Sequence, residues 1–346
     1  MRRWLLPLVL FGCLTAPESV ARKPPPKVVV MHLEAEELAA LRKAVPGVEL
    51  VPAADEAIAL ATIGDADGFI GRPSPALMKA GERLRWVQVL SAGVDRYGFP
   101  QLRGSDIVLT NAKVLQGPNV ADQAMALLLV LTRGLHQTLR AEDPRDWRGV
   151  RSSVREGPRA PIELRGKTAL VVGLGGIGSA IAQRAAGFGM TVIGTKRTVT
   201  EPPQFPVDEV HPPSALDQLL PRADVVFLAV PLTEQTRGLL GAPQLAAMKT
   251  DAFLINIARG AVIDTDALLA TLHDGHLAGV GLDVTDPEPL PSDHPLWDVD
   301  RVVITPHMGG ASDMVWARKL ELLQDNLQRF AGDQPLRNVV DKTEGY

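Results

Sequence analysis

Thr168-Ala169-Leu170-Val171-Val172-Gly173-Leu174-Gly175-Gly176-Ile177-Gly178 is the stretch on which the fold of this chain turns. Its first five residues read as a short buried strand, and Ile177 to Phe188 carry helical spacing. Between them the glycines fall at the G-x-G-x-x-G spacing. Gly173 permits a tight turn, Gly175 lets backbone approach a pyrophosphate, and Gly178 lets helix and strand pack closely, with Leu174, Gly176 and Ile177 completing the loop. The N-terminus of the helix then offers free N–H groups and a partial positive charge to a diphosphate. Glycine turns are common, and it is the strand–turn–helix context that makes this one a dinucleotide site.

The end of the next strand, roughly 20 residues on, normally carries an Asp or Glu where NAD binds. Here the sequence is Gly194-Thr195-Lys196-Arg197, with no acid. A hydroxyl and two cations suit a 2′-phosphate, so the expected cofactor is NADP in preference to NAD. The plainer alternative makes Lys196 and Arg197 solvated charges and holds NAD by other contacts.

Working outward, strands alternate with helices on both sides. Val28–Val30, Asp67–Ile70, Trp86–Leu90 and Ile107–Leu109 read as strands, with a helix from Glu34 to Ala44. After the glycine loop come strands at Thr191–Ile193, Val225–Leu228, Phe253–Asn256, Gly279–Leu282 and Val302–Ile304, interrupted by a linker holding Pro202, Pro203, Pro206, Pro212 and Pro213. This alternation implies parallel sheets. One long apolar helix is expected from Asn119, as N-cap, to Arg140. Its run Ala124 to Leu131 is apolar enough to need burial on more than one side, which either a homodimer through helix 119–140 or burial wholly inside one chain would supply. The last helix, Asp313 to Phe330, returns the chain to the first domain.

A chain of 346 residues with 46% hydrophobic content has room for two cores. The net charge of −4, with no basic block, and 4% aromatics argue against a nucleic-acid surface. Its one cysteine, Cys13, excludes an internal disulfide, and the seven histidines show no ligand spacing, so no metal is expected. Arg2-Arg3, the apolar run Trp4 to Leu14 and Ser19-Val20-Ala21 read as a secretory leader, too short to span a membrane. The arginine pair hints at twin-arginine export, and Leu10-Phe11-Gly12-Cys13 makes a poor lipobox. An ordinary leader, or a start placed too far upstream, is the alternative. Pro24-Pro25-Pro26 marks where the folded part begins.

Chemistry concentrates downstream of strand ends, where ligands meet an open parallel sheet. Arg259, in Asn256-Ile257-Ala258-Arg259-Gly260, can grip a carboxylate through two parallel N–H bonds. Glu288 lies in Asp283-Val284-Thr285-Asp286-Pro287-Glu288-Pro289, and His307 in Thr305-Pro306-His307-Met308-Gly309-Gly310. Taken singly, these would be a surface arginine, a loop acid and a structural histidine. Together, beyond a dinucleotide motif, they form the parts for proton and hydride chemistry on a 2-hydroxy or 2-keto acid.

With Ser91-Ala92-Gly93-Val94-Asp95, Val230-Pro231-Leu232-Thr233 and His294-Pro295-Leu296-Trp297 added, the chain from Lys27 to Tyr346 resembles the D-isomer-specific 2-hydroxyacid dehydrogenase family. The Pro-Glu-Pro-Leu-Pro and His-Pro-Leu strings are most like its glyoxylate/hydroxypyruvate reductase branch. The resemblance implies an α/β fold of two Rossmann-like parallel-sheet domains, a flavodoxin-like one for substrate and an NAD(P)-binding one, joined by crossing helices. Beyond the leader and linker at 1–26, it implies a substrate domain from 27–118 and 311–346, and a nucleotide domain with its hinge helix at 119–310. Arg259 would bind and polarise the substrate, His307 would be the acid/base and Glu288 its partner. The backbone of Ala92, Gly93 and Val94 would hold the substrate carboxylate. Val230, Pro231, Ile257, Ala258, Asp283, Gly309 and Gly310 would line the cofactor, with Asp283 at the nicotinamide carboxamide. Val120-Ala121-Asp122-Gln123 departs from the Glu-His pair usual in the hinge helix. Two rivals keep the fold: a nucleotide-sensing protein without turnover, and formate or phosphite oxidation. A formate enzyme would be expected to carry Gln at the position of Glu288. Substrate side-chain preference would depend on loops near Leu90, Trp147 and Trp316.

Overall fold

The alternating strands assemble into two parallel sheets in a computed structural model that describes residues 24–156, 160–198 and 205–346. The leader and residues Pro202 and Pro203 of the linker lie outside the described residues. Among the described residues, no helix is long and apolar enough to cross a membrane. β1 (Lys27–Met31), β2 (Glu49–Ala53), β3 (Gly68–Ile70), β4 (Trp86–Gln88) and β5 (Val108–Thr110) form a sheet in the order β2-β1-β3-β4-β5. This is the flavodoxin-like doubly wound order. β6 (Thr168–Val172), β7 (Thr191–Thr195), β8 (Glu209–His211), β9 (Val225–Leu228), β10 (Phe253–Asn256), β11 (Gly279–Leu282) and β12 (Val302–Ile304) form the second, ordered β12-β11-β10-β9-β6-β7-β8. Its order reverses between β6 and β9, the crevice where such sheets take ligands.

The inner strands are covered on both faces, as parallel sheets require. Along β6, Leu170 and Val172 enter one core layer and Ala169 and Val171 the other. The same alternation splits β1, where Val29 and Met31 face one way and Val28 and Val30 the other. The helix Val315–Ala331 lays Leu323, Leu327 and Phe330 onto that second layer beside Trp86. Burying each such side chain contributes about 1.5–3 kcal/mol, which fixes the returning helix to the first sheet. A buried polar chain adds to this: Thr110 Oγ1 accepts from Trp86 Nε1 at 2.8 Å and donates to Gln88 Oε1, which also accepts from Asn326 Nδ2 at 2.9 Å.

The sequence reading missed β2 and β8. Both are edge strands. β2 carries Pro52, which cannot donate to a ladder and is tolerated at an edge. β8 is three residues long and only half-buried. The long helix also needs correcting. It runs Gly117–Thr132 and is followed by a separate helix, Leu135–Arg140. Gly134, at φ 68°, takes the left-handed conformation that breaks the run. The start moves upstream of Asn119 because Pro118 suits a first helical turn. Asn119 therefore does not cap; its Nδ2 donates to Gly309 O at 2.8 Å. The apolar residues Val120, Ala121, Ala124, Leu128 and Leu131 are buried within one chain, against the helix Gly176–Gly187 and the nucleotide-domain sheet. Packing inside a single chain thus buries this part of the helix on more than one side.

Candidate active site and nucleotide pocket

The glycine loop folds as its sequence requires. Gly173 sits at φ 99°, and a Cβ there would meet Ala229 O at 2.8 Å. A Cβ on Gly178 would strike the Gly173 carbonyl, so the helix packs at a distance only glycine allows. Gly175 is the N-cap of Gly176–Gly187, makes no side-chain cap and faces open space. The first N–H groups of the helix are thus available to an anion. Gly173, Leu174, Gly175, Lys196, Arg197 and Pro231 lie around a cavity of about 720 Å³, which Thr195 and Val230 also line. These residues fit the diphosphate and adenosine end of a dinucleotide. Thr195 is buried, and its hydroxyl accepts the Gly173 N–H at 3.0 Å, so it braces the glycine loop from below. Lys196 and Arg197 are exposed at the rim. The Arg197 guanidinium meets the Glu344 carboxylate at 2.9 Å and lies 4.4 Å from the centre of the Tyr346 ring.

Arg259, Glu288 and His307 follow three adjacent strands, β10, β11 and β12. The structure joins Glu288 to His307: Oε1 lies 2.8 Å from the imidazole Nδ1. The other ring nitrogen has no hydrogen-bond partner among the described residues and is free to face a reactant. The ring is 39% exposed, open enough to exchange protons with a bound molecule. His307 adopts φ 51°, and its N–H donates to Asp283 O at 2.9 Å. Asp283 is the strut of this loop. At 3% exposure, its Oδ1 accepts from Thr305 Oγ1 at 2.6 Å and Met308 N at 3.1 Å, and its Oδ2 accepts from Gly309 N at 2.9 Å. Gln123 of the hinge helix donates to Thr305 Oγ1 at 2.9 Å, so the departure at Asp122-Gln123 keeps a contact between helix and loop. Asp122 pairs with Arg184 at 2.7 Å.

No hydrogen bond or ion pair links Arg259 to Glu288 or His307. Its Nε and Nη2 both lie 3.1 Å from Asp95 Oδ1, and its Nη1 donates to Ala258 O at 2.7 Å. The guanidinium lies so close over Gly93 that a Cβ there would overlap it. The Ala92 and Gly93 carbonyls accept from Asn111 Nδ2 and Ser91 Oγ. None of the Ala92, Gly93 and Val94 N–H groups has an acceptor among the described residues. The next residue, Arg96, reaches Glu288 at 3.7 Å. Adjacent Asp95 and Arg96 therefore hold the arginine and the acid of the other domain from across the cleft. Sequence reasoning quoted Asp95 without a role and passed over Arg96; the only signal was an acid and a base side by side after the Gly93 turn. Ile257 and Ala258 are buried in the two core layers of the second sheet, and Gly310 lies beside Gln116 of the hinge.

A flavodoxin-like sheet and a dinucleotide-type sheet, facing each other over an imidazole–carboxylate pair and an arginine, define an oxidoreductase architecture. A family model described as "D-isomer specific 2-hydroxyacid dehydrogenase, NAD binding domain" matches residues 125–309. Glyoxylate/hydroxypyruvate reductase B from Pectobacterium atrosepticum is 33% identical over 320 residues, 91% of this chain and 98% of that protein. Among solved structures, a D-isomer specific 2-hydroxyacid dehydrogenase family protein from Aeromonas salmonicida is 30% identical with a TM-score of 0.76, covering 92% of this chain and 99% of that one. An NADPH-dependent glyoxylate/hydroxypyruvate reductase from Sinorhizobium meliloti, solved with NADP and sulfate, is 26% identical with a TM-score of 0.76, covering 93% and 100%. The chain belongs to the D-isomer specific 2-hydroxyacid dehydrogenase family, oxidoreductases that act on the CH–OH group of donors.

Proposed function

We propose that this chain reduces a small 2-keto acid of the glyoxylate or hydroxypyruvate type to the 2-hydroxy acid, using NADPH in preference to NADH. The observation that carries the reading is the 2.8 Å His307–Glu288 pair, set at strand ends with Arg259 and the Gly93 turn on the same cleft. A reduced nicotinamide supplies the hydride for the keto carbon. In its protonated form His307, oriented by Glu288 at Nδ1, donates a proton from Nε2 to the oxygen that becomes the hydroxyl. Arg259 offsets negative charge on that oxygen and on the substrate carboxylate, and Asp95 holds its guanidinium in a fixed orientation. The open N–H groups of the Ala92–Val94 turn receive the carboxylate. Arg197 and Lys196 at the pocket rim, with no acid on β7, support the 2′-phosphate preference.

Copies of the chain pair, in this reading, through the 119–140 region. Leu139 and the nearby Trp147 support it, being 80% and 76% exposed. The deciding experiment is a steady-state assay of glyoxylate, hydroxypyruvate and bulkier 2-keto acids with NADPH and NADH in parallel. Oxidation of NADPH with the two small acids is expected. Nucleotide binding without turnover on any of them would make the chain a sensor.

A further inference from the structure

The segment after the first-domain sheet ends inside the nucleotide pocket. Val340 N donates to Leu109 O at 2.8 Å, and Lys342 Nζ donates to Leu102 O at 3.2 Å and Ile107 O at 3.0 Å, so this segment is anchored on the first domain. Asp341 organises the turn that follows. Its Oδ1 accepts from Thr343 N at 2.9 Å and Glu344 N at 3.1 Å, and Gly345 N returns to Asp341 O at 2.8 Å. Hydrogen bonds from the Thr343 hydroxyl and from these N–H groups hold the Asp341 carboxyl below the usual carboxylate range, so the turn keeps its charged cap at neutral pH. The turn delivers Glu344 and Tyr346 to Arg197 on the other domain. Glu344 forms a wall shared by the 720 Å³ nucleotide cavity and a neighbouring interdomain cavity of about 680 Å³.

The mouth of the adenosine pocket therefore does contain an acid, although β7 carries none. We infer that Glu344, 147 residues beyond Arg197, is a specificity-determining residue of the nucleotide site. It occupies the guanidinium that a 2′-phosphate needs, and so tempers the preference for NADP over NAD. This inference rests on the nucleotide reading proposed above. The chemistry is competitive. A 2′-phosphate must displace a carboxylate of its own sign from Arg197, whereas a ribose with free hydroxyls meets an acceptor that it can hydrogen-bond. Tyr346, against the other face of the guanidinium, keeps Arg197 in place during the exchange. Both side chains of the ion pair are about half exposed, so the expected effect is modest.

The test measures dissociation constants, by calorimetry, for NADP⁺, NAD⁺, 2′,5′-ADP and 5′-AMP with wild type, Glu344→Gln, Arg197→Ala and the double variant. Glu344→Gln is expected to tighten NADP⁺ and 2′,5′-ADP about threefold to fivefold, while NAD⁺ and 5′-AMP stay within twofold or weaken. In the Arg197→Ala background the same change should leave the ratio unmoved, because the contested guanidinium is gone. An unchanged ratio in the single variant overturns the inference. So does equal tightening of all four ligands, which would make the segment a steric cover indifferent to the phosphate. A wild type that binds neither dinucleotide overturns the proposed function together with this inference, whereas binding with an unmoved ratio overturns this inference alone.

Discussion

The two ends of the site are built on opposite physical terms. At the reacting end, the loop bearing His307 is fastened to a buried carboxylate, Asp283, by two backbone N–H groups and a hydroxyl. Hydrogen bonds to a buried charge contribute about 1.5–3 kcal/mol each. At the nucleotide rim, Arg197 is 59% exposed and meets Glu344 in a pair of the kind that contributes about 0.2–1 kcal/mol. In the proposed reading, the group that moves a proton stands on a stiff mount, and the groups that choose between two nucleotides stand exposed to water.

That contrast can be broken by substitution. His307→Ala is expected to lower kcat by about 10²–10⁴-fold while dinucleotide affinity stays within twofold, since a positioned acid contributes about that much; a variant that turns over normally would remove the imidazole from the chemistry. Gly93→Ala puts a methyl where the Arg259 guanidinium rests. A shift of about 1 Å in a substrate-gripping group can cost about 10²-fold, so kcat/KM should fall by that order with an unchanged melting temperature. If kcat/KM is unaffected, Arg259 does not work from this position. Asp283→Ala leaves buried loop donors unpaired and should cost about 1–3 kcal/mol in denaturant unfolding; a loss too small to measure would show that the mount is not stiff. The smallest effect belongs to Glu288→Gln. The amide keeps a partner at Nδ1 but removes the charge beside the ring, so kcat should fall by less than in His307→Ala. A kcat unchanged from wild type would count against the pairing.

The strands nearest the middle of each sheet were readable because both of their faces are buried, leaving unbroken apolar runs such as Val225–Leu228. Of the four edge strands among the described residues, β5 and β12 were readable and β2 and β8 were not: β2 has two exposed residues, Pro52 among them, and β8 is half-buried along its length. The end of the hinge helix hid for a related reason: its apolar run continues as far as Leu131, and a single Gly134 turns the chain beyond it. In the site, Arg259, Glu288 and His307 could be found because each is set off by proline or glycine just after a strand. Asp95, Arg96 and Glu344 also stand near glycines, but nothing beside them in sequence names a partner. Their partners lie across the cleft, and the acid missing from β7 was sought about 20 residues along, where neighbourhood in sequence usually supplies it.

The two chain crossings between the domains lie side by side. Asn119 on the outgoing helix donates to Gly309 on the return, and Arg318 donates to Leu115 O at 2.8 Å. Such a pair of adjoining crossings would serve as a hinge line for rotation of one sheet against the other, and His307, two residues before Gly309, would then be displaced little. Opening the cleft would thus part Arg259 from Asp95, Arg96 from Glu288 and Arg197 from Glu344 in one motion, while Glu288 and His307 stay together.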